Sequence, residues 1–299
     1  MFTLIGVAVV VGSVLGGFMI AGGKIMALVQ ISEFIVVGGT ALGTILISTP
    51  LPVIKALARD IPRILKPSPF SGTLYLESLK MLFELFQMAQ RDGLVAIESH
   101  IESPDKSSLF KKYPMVVAQH HAMTFLCDSL RLVLMGSVPP HDLEMLLDSE
   151  IDVHHEQEAK SATVLSKVSD SLPGIGIVAA VLGVVVTMAA ISGPVEKVGE
   201  HVAAALTGTF LGVLLAYGFV GPLGTALEHV QASETRYYHF IKASVVAVAK
   251  GSTPIVSVEF ARRAITSEVR PTFVQMEEAC KRLKQKPGAA GNQNDQQAA

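Results

Sequence analysis

Residues 172–222 decide how this chain is read. The first part runs Leu172-Pro-Gly-Ile-Gly-Ile-Val-Ala-Ala-Val-Leu-Gly-Val-Val-Val-Thr-Met-Ala-Ala-Ile-Ser-Gly-Pro194. After the short charged link Glu196–His201 comes Val202-Ala-Ala-Ala-Leu-Thr-Gly-Thr-Phe-Leu-Gly-Val-Leu-Leu-Ala-Tyr-Gly-Phe-Val-Gly-Pro222. Each stretch holds about 20 residues without a charge, the length of a helix that crosses a hydrocarbon core of roughly 30 Å. Both are rich in Gly, Ala, Ser and Thr, which suits helices packed on other helices rather than on lipid alone.

Working outward, two more apolar runs open the chain. Phe2–Ile20 carries Gly6, Gly12, Gly16 and Gly17, and its start, Met-Phe-Thr-Leu, lacks the basic segment of a secretory signal. It is read as a retained helix. Phe34–Ser48 follows, extendable at Ile31 and at Leu51–Ile54, with Pro50-Leu-Pro52 as its break. The link Ala21–Glu33 carries only Lys24 and Glu33 as charges. Half of the 299 residues are apolar and 17% are charged, the composition of a membrane protein with soluble parts. A net charge of −2 offers no electrostatic footprint for nucleic acid.

Between the span pairs the pattern becomes that of soluble helices. Leu74, Leu76, Leu79, Leu82, Phe83, Phe86 and Ala89 recur at helical spacing. Glu77, Lys80 and Glu84 are placed for surface ion pairs along the same helix. Further helices are predicted over Val95–Glu102, Pro114–Met135 and His141–Lys167, and across the polar stretch Leu223–Lys286. No alternating strand pattern and no internal repeat is present. The expected fold is an all-α membrane protein. Residues 1–50 hold two transmembrane helices, 51–171 a helical cytoplasmic domain, and 172–222 two more transmembrane helices. Residues 223–286 form a helical cytoplasmic segment, and 287–299 a low-complexity, disordered tail.

Charge sets the orientation. Of the 24 lysines and arginines, 12 lie in 51–171 and 10 in 223–299, leaving only Lys24 and Lys197. With four spans both blocks share one side, and the positive-inside bias makes it the cytoplasm. Lys55, Arg59, Arg63 and Lys66 after span two carry most weight, with Lys160 and Lys167 before span three. The protein is expected in the inner membrane as a multi-pass chain with its large domains and C-terminus cytoplasmic.

No enzyme signature is present: no phosphate loop, no dinucleotide fingerprint, no nucleophile elbow and no zinc-protease motif. The pairs His120-His121 and His154-His155 point to different helix faces and are read as surface residues rather than a metal site. Cys127 and Cys280 have no metal-binding spacing and make no disulfide framework. No cofactor, metal or catalytic residue is expected. The four apolar runs, taken as 2–20, 34–48, 172–194 and 202–222, contain no ionisable side chain of the Asp, Glu, His, Lys or Arg type. Proton-carrying membrane proteins place such groups inside the bilayer, so a proton carrier built on these spans needs a carboxylate from another chain. What the spans do supply is Pro173, Thr187, Thr207, Thr209, Tyr217 and Pro222. Pro173, Ala180 and Thr187 recur every seven residues on one face. Ala204, Gly208, Gly212 and Ala216 form a small-xxx-small ladder read chiefly as a packing surface.

At these residues a resemblance emerges. Asp170–Val185 and Gly208–Pro222 closely resemble spans three and four of the MotA family of flagellar stator subunits, in the wider MotA/TolQ/ExbB proton channel group. The likeness extends to Gly16-Gly17 and Gly22-Gly23, Leu85–Glu102, Phe110–Pro114, Leu146–Glu158, Val258–Arg263 and Arg270-Pro271. It implies a rotary complex in which five such subunits surround a dimer of a single-span partner, MotB, anchored to peptidoglycan. The partner supplies the ion-binding aspartate, and the cytoplasmic domain drives the rotor protein FliG. By the same resemblance Pro173 and Pro222 are conformational prolines, Thr209 lines the pore, and Tyr217 lies near it. Ala180 stands where sodium-driven relatives carry a threonine. An alanine has no oxygen for Na⁺, so H⁺ is the expected ion.

The resemblance also assigns rotor contact to Arg91 and Glu98, with Glu150 as a further candidate. This chain departs from the family there. Many relatives have arginine three residues before the glycine matching Gly93, whereas Gln90 occupies that place here and Arg91 follows it. A regular helix turns the charge by ~100° over that step. The alternative is an energy-transducing subunit of the ExbB/TolQ kind, whose resemblance is confined to the last spans. A stand-alone transporter would want inverted repeats and an internal charged site.

Overall fold

The structure, a computed structural model, describes residues 2–284; the tail expected at 287–299 lies outside them. Among the described residues all regular structure is helical. In chain order the helices are α1 (Phe2–Ile20), α2 (Ile31–Ser48), α3 (Leu51–Leu65), α4 (Gly72–Asp92), α5 (Val95–Glu102), α6 (Pro114–Val117) and α7 (His120–Met135). There follow α8 (Pro140–Ala189), α9 (Val195–Leu214), α10 (Gly221–Ala249), α11 (Pro254–Ala264) and α12 (Phe273–Lys284). A π-helical turn, Leu215–Val220, joins α9 to α10. Among the described residues four helical stretches are long and apolar enough to cross a membrane: Thr3–Ile20, Ile25–Ser48, Pro140–Ala189 and Val195–Ala249. The chain is an all-α, four-span membrane protein.

The chain divides into two compact units. One holds Met1–Ser68 and Glu156–Gln231; the other holds Pro69–His155 and the segment from Ala232 onward. These cuts differ from the compositional ones, and α3 shows why. It is amphipathic and lays Leu57 and Ile64 against Ala162, Leu165 and Leu227 of the membrane unit. Asp60 is fully buried on the same face. The Ser161 hydroxyl donates to its Oδ2 at 2.8 Å, while Arg59 and Arg63 approach Oδ1 at 3.1 and 3.4 Å. A buried carboxylate is tolerable only when paired in this way. Polar composition therefore marks α3 as soluble, although its buried face belongs to the membrane unit.

The soluble unit is built on α4, whose buried face includes Leu74, Tyr75, Leu79, Leu82, Phe83, Phe86 and Ala89. Aromatic rings meet at its centre: Tyr237 stacks on Phe240 at 5.5 Å, and Tyr75 meets Phe240 edge-on at 5.2 Å. The buried Tyr237 hydroxyl and Ser78 Oγ lie 2.6 Å apart, which satisfies both in an apolar setting. The predicted pair Glu77–Lys80 forms at 2.8 Å, whereas Glu84 takes Lys112 at 3.1 Å rather than Lys80. Gly93 ends α4 at φ +88°, a backbone region that glycine enters without strain. The helix predicted over Pro114–Met135 is broken at Gln119, which leaves the helical region (ψ 69°). Cys127 and Cys280 are both buried thiols, 3% and 2% exposed, and burial pushes Cys127 up to about 11.

The helix predicted over His141–Lys167 does not stop there. It continues through Pro173 to Ala189 as the single helix α8. A proline removes one donor and crowds the preceding turn without necessarily ending a helix, provided neighbours satisfy what it frees.

Candidate functional site

Within the membrane unit α8 and α9 meet at backbone distance. A Cβ built on Gly176 would lie 2.9 Å from the Gly208 carbonyl oxygen and 3.1 Å from Gly212 Cα. One on Gly212 would lie 2.7 Å from the Leu172 oxygen and 2.8 Å from Gly176 Cα. One on Gly183 would lie 2.6 Å from Ala205 Cβ. Gly208 and Gly212 of the small-residue ladder are thus packing residues: only glycine lets the two helices approach so closely. Ala180 and Thr209 flank the crossing: the Ala180 nitrogen lies 3.4 Å from a Cβ on Gly208, and Thr209 Cα 3.3 Å from one on Gly176. Both residues are partly exposed at the edge of this contact.

The two prolines are connected through Ser169, which no sequence pattern singles out. Pro173 has no N–H, so the carbonyl of Ser169, four residues earlier, loses its helical donor. Ser169 is buried, and its hydroxyl donates to the Ala216 carbonyl at 2.9 Å. Ala216 lies in the π turn, where it also accepts the N–H of Gly221. Pro222 follows directly and again has no N–H to give. Ser169 therefore bonds from the turn disrupted by Pro173 to the turn that precedes Pro222. No sequence motif marks it, because the serine matters only through its partner 47 residues away. Tyr217 projects from the same π turn and is 67% exposed, and Pro222 is exposed. Thr187 and Thr207 are not spare donors: their hydroxyls bond the Gly183 and Ala203 carbonyls at 2.8 and 2.9 Å.

One sequence expectation is corrected. The apolar pattern starts span two at Phe34, which leaves Glu33 in the link and every span without an ionisable group. The structure begins α2 at Ile31, so Glu33 lies in its first turn and is 5% exposed. Its Oε2 has no hydrogen-bond partner among the described residues, and a Cβ on Gly208 would come within 2.5 Å of it. The signal was present: a Glu three residues after Gln30, ahead of an apolar run, has the spacing of a helix start.

In the soluble unit Arg91, Glu98 and Glu150 are all exposed, in the last turn of α4, the first turn of α5 and along α8. Arg91 is held by its neighbour: Nε and NH2 donate to the two oxygens of Asp92 at 2.9 and 2.7 Å. That bidentate pair holds the Asp92 carboxyl below the usual carboxylate range. Because α4 is regular through Asp92, Arg91 and Gln90 point ~100° apart. His154 and His155 face separate partners, Tyr238 at 3.2 Å and Thr235 at 3.0 Å. No cluster of three metal-binding side chains occurs among the described residues.

Two family models match, Motility protein A N-terminal over residues 4–93 and the MotA/TolQ/ExbB proton channel family over 118–239. Motility protein A of Salmonella typhimurium is 36% identical over 278 residues, 93% of this chain and 94% of that relative. The chain belongs to the motility protein A family. The Escherichia coli motility protein A is 34% identical over 284 residues, 95% of this chain and 96% of its own length. The chemotaxis protein LafT of Vibrio parahaemolyticus is 36% identical over 273 residues, 91% and 96% of the two chains. Among solved structures, C. jejuni MotAB aligns with a TM-score of 0.73 at 20% identity, covering 89% of this chain and 96% of that one. The flagellar MotAB stator complex of Bacillus subtilis aligns at 0.69 and 18% identity, covering 90% and 98%. Motility protein A chains are stator subunits of the bacterial flagellar motor, and this chain is one of them. The likeness runs through α1 and α2 as well as the last spans, which sets it apart from a subunit of the ExbB/TolQ kind.

Proposed function

We propose that this stator subunit couples proton flow to rotation, together with a MotB-like, single-span, peptidoglycan-anchored partner that contributes the ion-binding aspartate. The solved relatives are MotA–MotB complexes, which supports such a partner. Five copies around a partner dimer, seated in inner-membrane lipid with the soluble unit in the cytoplasm, is the assembly the family resemblance favours. Arg91, Glu98 and Glu150 engage the rotor protein FliG. Arg91 meets it from an orientation set by Asp92 rather than from the position usual in relatives.

The observation that carries this reading is the link from Pro173 through Ser169 to the π turn before Pro222. Two backbone breaks in neighbouring helices, tied by one hydrogen bond, give a place where a proton bound beside α8 and α9 can change the helices' shape. Thr209 and Tyr217 line the path, and Ala180 leaves it without the hydroxyl oxygen a sodium route needs. The test is swimming speed in cells carrying this chain with its native partner, at fixed proton-motive force and varied external Na⁺. Speed independent of Na⁺ and abolished by a protonophore supports the reading. Speed that follows Na⁺ overturns the ion assignment.

A further inference from the structure

We propose that Glu33 is a second proton-exchange carboxyl of the ion path, contributed by this chain itself and working in series with the partner's aspartate. The inference rests on the proton-driven reading above. Three observations carry it. Glu33 lies in the first turn of a membrane-spanning helix, yet is 5% exposed within its own chain. Its Oε2 receives no hydrogen bond among the described residues. And the niche it fills is made by glycine: at Gly208 a single added Cβ would come to 2.5 Å of that oxygen and 2.9 Å of Ala179 Cβ. The niche opens on the Ala180 backbone nitrogen, 3.4 Å from the same point, and adjoins Thr209 in sequence. The carboxyl therefore sits against the part of the α8–α9 crossing where the ion path is placed.

Packing does not account for the residue. A carboxylate removed from water without an ion pair carries a penalty of several kcal/mol, which an apolar side chain would avoid. The Ser32 side chain hydrogen-bonds the carboxyl, but among the described residues no ion pair engages it. On α9 the charged and titratable groups are Glu196, Lys197, Glu200 and His201. The nearest in sequence, His201, is seven residues from Gly208, about 10 Å along the helix. On α8 the last is Asp170, ten residues before Ala180 and about 15 Å away by the same rise. Lys24 precedes the short turn Ile25–Leu28. A membrane carboxyl with no compensating cation, held beside a proposed ion route, is placed to take up and release protons.

Glu33→Gln and Glu33→Asp, expressed with the native partner, test this through proton flux, swimming speed against external pH, and incorporation of a fluorescent partner at motors. In Glu33→Gln, flux and speed are expected to fall about tenfold, below the full loss of a general acid–base group because other steps also limit rotation. Incorporation is retained. Glu33→Asp should restore most of the speed with a displaced pH profile, which a purely structural role would not produce. Wild-type flux and pH profile in Glu33→Gln overturn the inference alone, whereas sodium-driven wild-type rotation overturns it together with the reading beneath it. If both variants fail to incorporate, the wild-type complex decides. Treated with a hydrophobic carbodiimide and mapped by mass spectrometry, it should carry a label on Glu33 that falls as pH rises. Absence of label on Glu33 while other membrane carboxyls react overturns the proposal.

Discussion

The two compact units are held together by different means. In the soluble unit, large side chains fill the interior: Tyr237, Phe83, Phe86, Phe110 and Phe240 are almost wholly buried. Removing that apolar area from water is what stabilises it. In the membrane unit α8 and α9 approach backbone to backbone at Gly176 and Gly212, while Val9, Ile20, Ile47 and Val185 are exposed. Lipid offers no comparable reward for burying a leucine, so close approach replaces bulk as the means of association. The first unit is finished by its own side chains. The second leaves most of its apolar surface for lipid and for other chains.

Gly212→Leu should break this contrast most severely. A Cβ alone would come to 2.7 Å of the Leu172 carbonyl oxygen, and a main-chain atom inside a helix cannot swing aside as a side chain can. The expected result is complete loss of stator assembly and swimming, read by the size of the purified complex. Normal assembly would show that α8 and α9 are not held by this contact. Phe240→Ala probes the other side. It should remove about 3–5 kcal/mol from the soluble unit, the usual effect of emptying a buried aromatic site. Calorimetry on the detergent-solubilised complex should show an early transition with the membrane helices still folded; a single unchanged transition would refute the separation.

Ser169→Ala sharpens the comparison from within the membrane unit, where one hydrogen bond rather than a packed ring carries the connection. Losing it takes away about 1 kcal/mol, so the complex should assemble while torque at high load falls. Wild-type torque would remove Ser169 from the coupling. The smallest effect belongs to Glu259, which Arg262 and Arg263 hold below the ordinary carboxylate range. Its folded form is depressed, so its contribution is present above the unfolded value and disappears as pH falls through the lowered one. Glu259→Gln should lower stability near neutrality by roughly 0.2–1 kcal/mol, and melting curves of variant and wild type should converge in acid. A gap that persists at low pH would assign the loss to packing.

Helix existence was legible wherever periodicity was strong: α4 and α5 follow from their apolar spacing, and the spans from length and composition. Helix limits were less so. Pro173 is a stop signal by local rules, yet α8 passes through it, because the response of a helix to proline depends on what packs beside it. Polar composition makes α3 read as soluble, since a sequence does not reveal that Asp60 will be buried and satisfied by Ser161 and two arginines. Glu33 is masked in the sequence because the long apolar run begins only after it, at Phe34, while the helix itself starts at Ile31. Of the positions carried over by resemblance, Ala180 flanks Gly208 and Thr209 flanks Gly176 along the α8–α9 crossing. Ser169 lay beyond reach, because its meaning resides in a bond between segments.

The burial of Cys127 and Cys280 has a practical side. Thiol reagents attack the thiolate, and a side chain that is both enclosed and pushed up to about 11, as Cys127 is, offers almost none of it near neutrality. Cys280 is shielded by the same interior. A maleimide dye or spin probe applied to the folded protein would therefore report on a cysteine introduced at Thr209, Tyr217 or Arg91, with the native pair left in place as silent background.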